Sequence, residues 1–342
     1  LGGERIITTP GYYAYLKILN SYHTIPVVIS EYGVSTGRGM AQRDFYTGRN
    51  QGHMTEREQG YAIIDCYEDI MAAGSAGSCI FTWQDEWFKR TWNTMHAVDL
   101  DNTPYWSDYQ TNEQYFGLLA FDPGLEKSVC YVDGDPSEWT EADIVAETEQ
   151  GSLSMKYDEK FLYFYGQWEG FEPGVDTLYI PIDTTPKTGS TYCENYALTF
   201  ERPCDFVICI HDLDDSRVVV QERYEVMRAV FSQETSGFDP YITPVDADTP
   251  VFRNIELVLQ LLEEDRNPLE DDPITYETYE TGALRRGNAN PESEDFDSLA
   301  DYMFTEDGVE IRIPWQLLNF SNPSEMMIHD DYYEHFGVEY IH

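Results

Sequence analysis

The sequence predicts an α/β region followed by an all-β region, and three observations carry that expectation. Residues 11–83 change period in the order helix, strand, helix, strand, the pattern of parallel strands joined by right-handed crossovers. Beyond the turn signal Asp122-Pro123-Gly124 the pattern becomes short alternating strands separated by turns, as in an antiparallel sandwich. The charge divides at the same place: residues 1–124 hold 8 basic and 15 acidic side chains, and residues 125–342 hold 13 and 48. A chain of 342 residues suits two domains, drawn here as 1–124 and 125–342.

In the first region, Tyr12, Tyr15, Leu16 and Leu19 fall near helical spacing over 11–23. Pro26-Val27-Val28-Ile29-Ser30 reads as a strand buried on both faces, ending in Glu31-Tyr32-Gly33. Residues 33–54 are rich in glycine and arginine and read as a long polar loop, a length that usually signals function. Thr55 and Glu58 form a capping box ahead of Ile63, Ile64, Tyr67, Ile70 and Met71, with Gly74 and Gly77 as stops. Ser78–Trp83 is the next buried strand, followed by Gln84-Asp85-Glu86-Trp87-Phe88. Residues 89–124 are irregular and aromatic.

In the second region, Ser152–Tyr157 and Phe161–Tyr165 form a hairpin turning at Asp158-Glu159-Lys160. Further strands are expected at 177–183, 196–200, 206–210, 217–221, 224–230, 275–279 and 309–313, with solvated acidic loops over 232–274.

A net charge of -42 opposes nucleic-acid and anionic-membrane binding, because both need a basic face. No run of 18 apolar residues predicts a membrane span. The 15% aromatic content, with 26 Tyr and 7 Trp, suits contact between ring faces and sugar faces. Six cysteines without a CxxC pair argue against zinc, and Cys66 and Cys79 read as buried free thiols. Asp133 and Asp135 fall short of the six to eight oxygens that calcium needs. Neither a metal nor a cofactor is expected.

Glu31 is the candidate catalytic residue, as a carboxylate at the C-terminal end of a parallel strand. Tyr32, Trp83, Gln84, Asp85, Glu86 and Trp87 are the candidate substrate contacts: indoles and a phenol as stacking platforms, polar groups for sugar hydroxyls. Trp92, Trp106, Trp168 and Trp315 are weaker platforms, and Arg38, Arg43 and Arg49 are candidate contacts for an anionic sugar.

Pro26-Val-Val-Ile-Ser-Glu31-Tyr-Gly33 resembles the nucleophile strand of retaining glycoside hydrolases of the (β/α)8 superfamily, most closely the barrel domain of glycoside hydrolase family 2 and also family 5. The resemblance covers roughly 1–124 and implies the C-terminal portion of a TIM barrel, from its sixth helix to its eighth strand. It makes Glu31 the nucleophile and Trp83 the tryptophan beneath the sugar. A retaining mechanism needs a second carboxyl about 5–5.5 Å away; in those families it follows the fourth strand, so the acid/base is expected in sequence upstream of Leu1. Residues from about 128 resemble family 9 carbohydrate-binding modules and related DOMON-like sandwiches, through Asp133–Trp139, Met155–Tyr165, Ile180–Asp183 and Val309–Leu318. The combined expectation is part of an extracellular or cell-surface protein that hydrolyses O-glycosidic bonds of an oligo- or polysaccharide. The alternative is a non-catalytic glycan-binding protein that keeps a degenerate barrel.

Overall fold

The computed structural model describes residues 11–44, 48, 50–94, 110–120, 124–125, 127–211, 215–225, 245–261, 276–329, 331 and 340–341. Helix α1 (Gly11–Tyr22) buries Leu16. Strand β1 (Val28–Tyr32) follows, then β2 (Gly37–Arg43) and β3 (Asn50–Met54), which pair as an antiparallel hairpin. Helix α2 (Glu56–Ala73) starts with the expected capping box, Thr55 and Glu58 each accepting the other's backbone N–H, and stops at Gly74 in the left-handed conformation. Strand β4 (Gly77–Ile80) then pairs parallel to β1.

The expectation of a TIM-barrel portion is overturned. β1 and β4 form a sheet of two strands, with no third strand beside them among the described residues. β1 is therefore not buried on both faces: Val28 is 57% exposed, and Ile80 at the end of β4 is exposed too. On α2 the helical spacing is correct, but only Ile63 and Ile70 of the five apolar positions are buried, while Ile64, Tyr67 and Met71 face outward. The described residues hold two α-helices and seven sheets of two to five strands, which makes this a β-rich fold.

The long loop expected at 33–54 is largely the β2–β3 hairpin. Gly39 and Gly52 serve close packing: a Cβ on Gly39 would lie 1.9 Å from the Gln110 carbonyl oxygen, and one on Gly52 2.2 Å from the Gly39 carbonyl oxygen. Arginine content misleads here as well. Arg38 is buried, not presented to a ligand: its Nη1 donates to the carbonyls of Thr281 and Ala283 at 2.9 Å each, and its Nη2 pairs with Asp301. Arg43 pairs with Glu277, and Arg49 lies outside the described residues.

The second region contains β5 (Ile144–Glu147), β6 (Gly151–Tyr157), β7 (Phe161–Trp168), β8 (Leu178–Ile182), β9 (Ser190–Cys193), β10 (Leu198–Cys204), β11 (Phe206–Ile210) and β12 (Arg217–Gln221). It continues with β13 (Phe252–Asn254), β14 (Glu256–Leu261), β15 (Tyr276–Glu280), β16 (Tyr302–Phe304), β17 (Gly308–Pro314), β18 (Phe320–Asn322), β19 (Met327–His329) and β20 (Tyr340–Ile341). One antiparallel sheet has the order β16-β17-β7-β6-β5 and a second has β13-β12-β11-β8. Strand alternation sends Phe164, Ile180, Phe206, Ile208, Val218, Val220, Val309 and Ile311 from both sheets into one buried core. The β6–β7 turn closes where Asp158 Oδ1 accepts the N–H groups of Lys160 and Phe161.

Several local expectations need correction. β13 and β14 lie inside the stretch read as solvated acidic loop, because Phe252, Leu257 and Leu259 supply buried apolar positions there. The strand expected at 224–230 begins instead as a 3-10 turn over Glu222–Tyr224, and 226–230 lie outside the described residues. Trp315 is a core residue, and Trp168 packs edge-on against Phe171 at a centroid distance of 4.6 Å. Neither is an open platform. Cys79 is exposed and Cys66 half-buried, and all six cysteines are free. Asp133 spends its oxygens on the Asp135 N–H and the Asn290 amide.

Candidate functional site

The C-terminal ends of β1 and β4 form one rim, because parallel strands end on the same side. Tyr32 sits opposite Ile80, and the Phe81 N–H donates to the Tyr32 carbonyl at 2.9 Å. A Cβ on Gly33 would lie 1.9 Å from the Phe81 carbonyl oxygen, so the glycine that follows Glu31-Tyr32 is what lets the two strand ends approach. Past β4 the backbone of 82–85 pairs with 116–119: Thr82 N–H donates to the Phe116 carbonyl at 3.0 Å, and Leu119 N–H to the Trp83 carbonyl at 3.1 Å. The rim thus has three rungs, namely β1, β4 with its extension, and the 116–119 segment. That third rung lies in the stretch read as irregular. The apolar run Tyr115–Ala120, interrupted only by Gly117, is the signal that marks it.

Glu31 is exposed at the end of β1, and its carboxylate makes no hydrogen bond or ion pair with the described residues. Trp83 lies three residues beyond β4 rather than at its end, and it is 70% exposed, with no ring partner among the described residues. Gln84 is exposed beside it, its backbone bridged to Leu119. All three are exposed, Glu31 at the C-terminal end of β1 and Trp83 and Gln84 just past β4.

The other expected contacts do not join them. Tyr32 is buried, with its hydroxyl bonded to Ser78, and burial raises its phenol pKa. Asp85 is buried and its Oδ1 accepts the Gly117 N–H at 2.8 Å, which fastens the third rung. Glu86 is half-buried, its Oε2 3.6 Å from Lys89 Nζ, with its N–H donated to the Gln114 carbonyl. Trp87 packs edge-on against Phe88. Trp92 donates its indole N–H to the Ala41 carbonyl at 2.9 Å, which ties it to the hairpin. Trp106 lies outside the described residues.

Two buried carboxylates in the second region are structural. Glu310 on β17 accepts the Trp139 indole N–H at 2.9 Å and the backbone N–H groups of Gly134 and Asp133. Burial nevertheless pushes its pKa up to about 7, outweighing the three donors. Asp205 accepts from Thr184 N, Thr185 N and Thr188 Oγ1, and burial raises its pKa as well. The described residues contain no cluster of His, Cys, Asp and Glu suited to a metal ion, and no helix long and apolar enough to cross a membrane.

No family model matches the chain, and neither the curated proteins nor the solved structures include a match to it.

Proposed function

We propose that this chain binds a saccharide on the rim formed by Glu31, Trp83 and Gln84. The observation that carries the reading is the Trp83 indole, a large apolar face left 70% exposed, followed in the chain by the exposed Gln84 amide and past the same strand ends as the Glu31 carboxylate, both without a side-chain partner among the described residues. An exposed aromatic face stacks on the C–H face of a pyranose, while the polar neighbours exchange hydrogen bonds with its hydroxyls. The net charge of -42 favours a neutral or weakly charged glycan over a polyanion at this rim.

Hydrolysis is the second reading. Glu31 stands at the end of a parallel strand and is free to act as a nucleophile, the role its motif implies. Asp85 and Glu86 are held by the fold, so a retaining mechanism draws its acid/base from elsewhere in the protein.

A glycan array carrying neutral and acidic oligosaccharides, probed with wild type, Trp83→Ala and Glu31→Gln, tests both readings. Binding that Trp83→Ala weakens at least tenfold supports the rim. Absence of binding, or binding indifferent to Trp83, removes it. Mass spectrometry after incubation with 2-fluoro glycosides tests hydrolysis, with a covalent adduct on Glu31 as the expected product.

A further inference from the structure

A second opening is lined by residues of both regions. It is a cavity of about 250 Å³. That is the space of roughly eight waters at about 30 Å³ each, or of one monosaccharide-sized molecule. Phe161 and Arg312 on the paired strands β7 and β17 line it with Lys160, and Glu56 and Asp85 belong to the same lining.

Arg312 is the informative residue. Its guanidinium lies 4.6 Å from the Phe161 ring centroid. Nε donates to the Ala300 carbonyl at 2.6 Å and Nη2 to the Ser298 carbonyl at 2.9 Å. Those bonds and the ring fix the plane of the fork and leave three of its five N–H groups to give. No carboxylate of the described residues stands within ion-pair distance of it, although acidic side chains outnumber basic ones three to one, 63 against 21. An oriented, half-buried arginine in a cavity, unpaired in so acidic a chain, fits a bidentate carboxylate from outside. Glu56 and Asp85 in the same lining oppose a polyanion and suit hydroxyl donors.

We propose that this cavity binds a hydroxylated monocarboxylate of monosaccharide size, a sugar acid, with Arg312 receiving its carboxylate. The inference does not depend on the rim.

Isothermal titration of the full chain with glucuronate, galacturonate and glucose tests it, alongside the melting temperature with each. At least one uronate binds and raises the melting temperature, glucose binds the Trp83→Ala variant at least tenfold more weakly than that uronate does, and Arg312→Gln loses at least tenfold in uronate affinity. Arg312→Lys, which keeps the charge without the fork, recovers only part. Should Arg312→Gln fail to fold, Ala120→Trp narrows the cavity from an exposed position in its lining and abolishes uronate binding. Trp83→Ala leaves uronate binding unchanged, which separates this site from the rim. The proposal is overturned if neither uronate binds, if glucose binds the Trp83→Ala variant as tightly as the uronates do, if Ala120→Trp binds as wild type, or if Trp83→Ala abolishes the uronate binding.

Discussion

Arg38 and Asp301 are 263 residues apart in sequence and meet as a buried ion pair, with 7% and 2% of their surfaces exposed. Asp301 also accepts the Arg285 N–H at 2.8 Å, and the Tyr279 hydroxyl donates to the Arg38 carbonyl at 3.2 Å. The hairpin β2–β3 is thereby fastened to the second region. Removing one partner strands a buried charge, which costs about 3–5 kcal/mol. Arg38→Ala is expected to lower stability by that amount in urea unfolding. Arg38→Ala with Asp301→Ala together should cost less than the sum of the single changes, and additivity would show that the pair is not coupled.

Glu310 predicts a pH dependence. Its folded pKa lies near 7, against an ordinary value of 4.5. The folded state therefore holds the proton more tightly than the unfolded state. The contribution is complete below pH 4.5 and is lost as pH rises through 7, an effect on the order of 3 kcal/mol. Glu310→Gln keeps a neutral group of the same shape. Compared with wild type between pH 4.5 and 7.5, it should remove that part of the decline in unfolding free energy. Parallel profiles would mean that Glu310 titrates normally.

The capping box at α2 gives a smaller, cleaner number. Thr55 Oγ1 accepts the Glu58 N–H at 3.2 Å, and Glu58 Oε2 accepts the Thr55 N–H at 2.9 Å. Thr55→Ala should cost about 1 kcal/mol, measured as a shift of the urea midpoint at constant slope.

Gly33 links the fold to the rim. A methyl group there meets the Phe81 carbonyl oxygen, which is backbone and cannot swing aside. Gly33→Ala should destabilise by about 1–3 kcal/mol through strand displacement. Crystals of the variant should show β1 and β4 further apart at their C-terminal ends, and an unmoved pair would contradict the reading of this glycine.

What the sequence showed was local. The capping box, the stop at Gly74 and the turn at Asp158 could be read because each depends on residues within a few positions. The parallel relation of β1 and β4 followed from the helix between them. Partner number could not be read. An apolar run such as Pro26–Ser30 looks the same beside one strand or two, so the expected burial on both faces failed, and with it the barrel that the resemblance implied. Long-range charge pairing was equally hidden: nothing near Arg38 points to Asp301, and the surrounding glycines suggested an open loop. At the site, Glu31, Trp83 and Gln84 were named from position along the chain. Tyr32, Asp85 and Glu86 lie beside them in sequence, yet the fold buries Tyr32 and Asp85, half-buries Glu86, and uses all three.

Hydrogen exchange with the oligosaccharide that binds most tightly on the array tests the rim most directly. Protection is expected in peptides covering 28–33, 77–86 and 116–119, and its loss in Trp83→Ala. Protection confined to other segments, or unchanged in that variant, would contradict it.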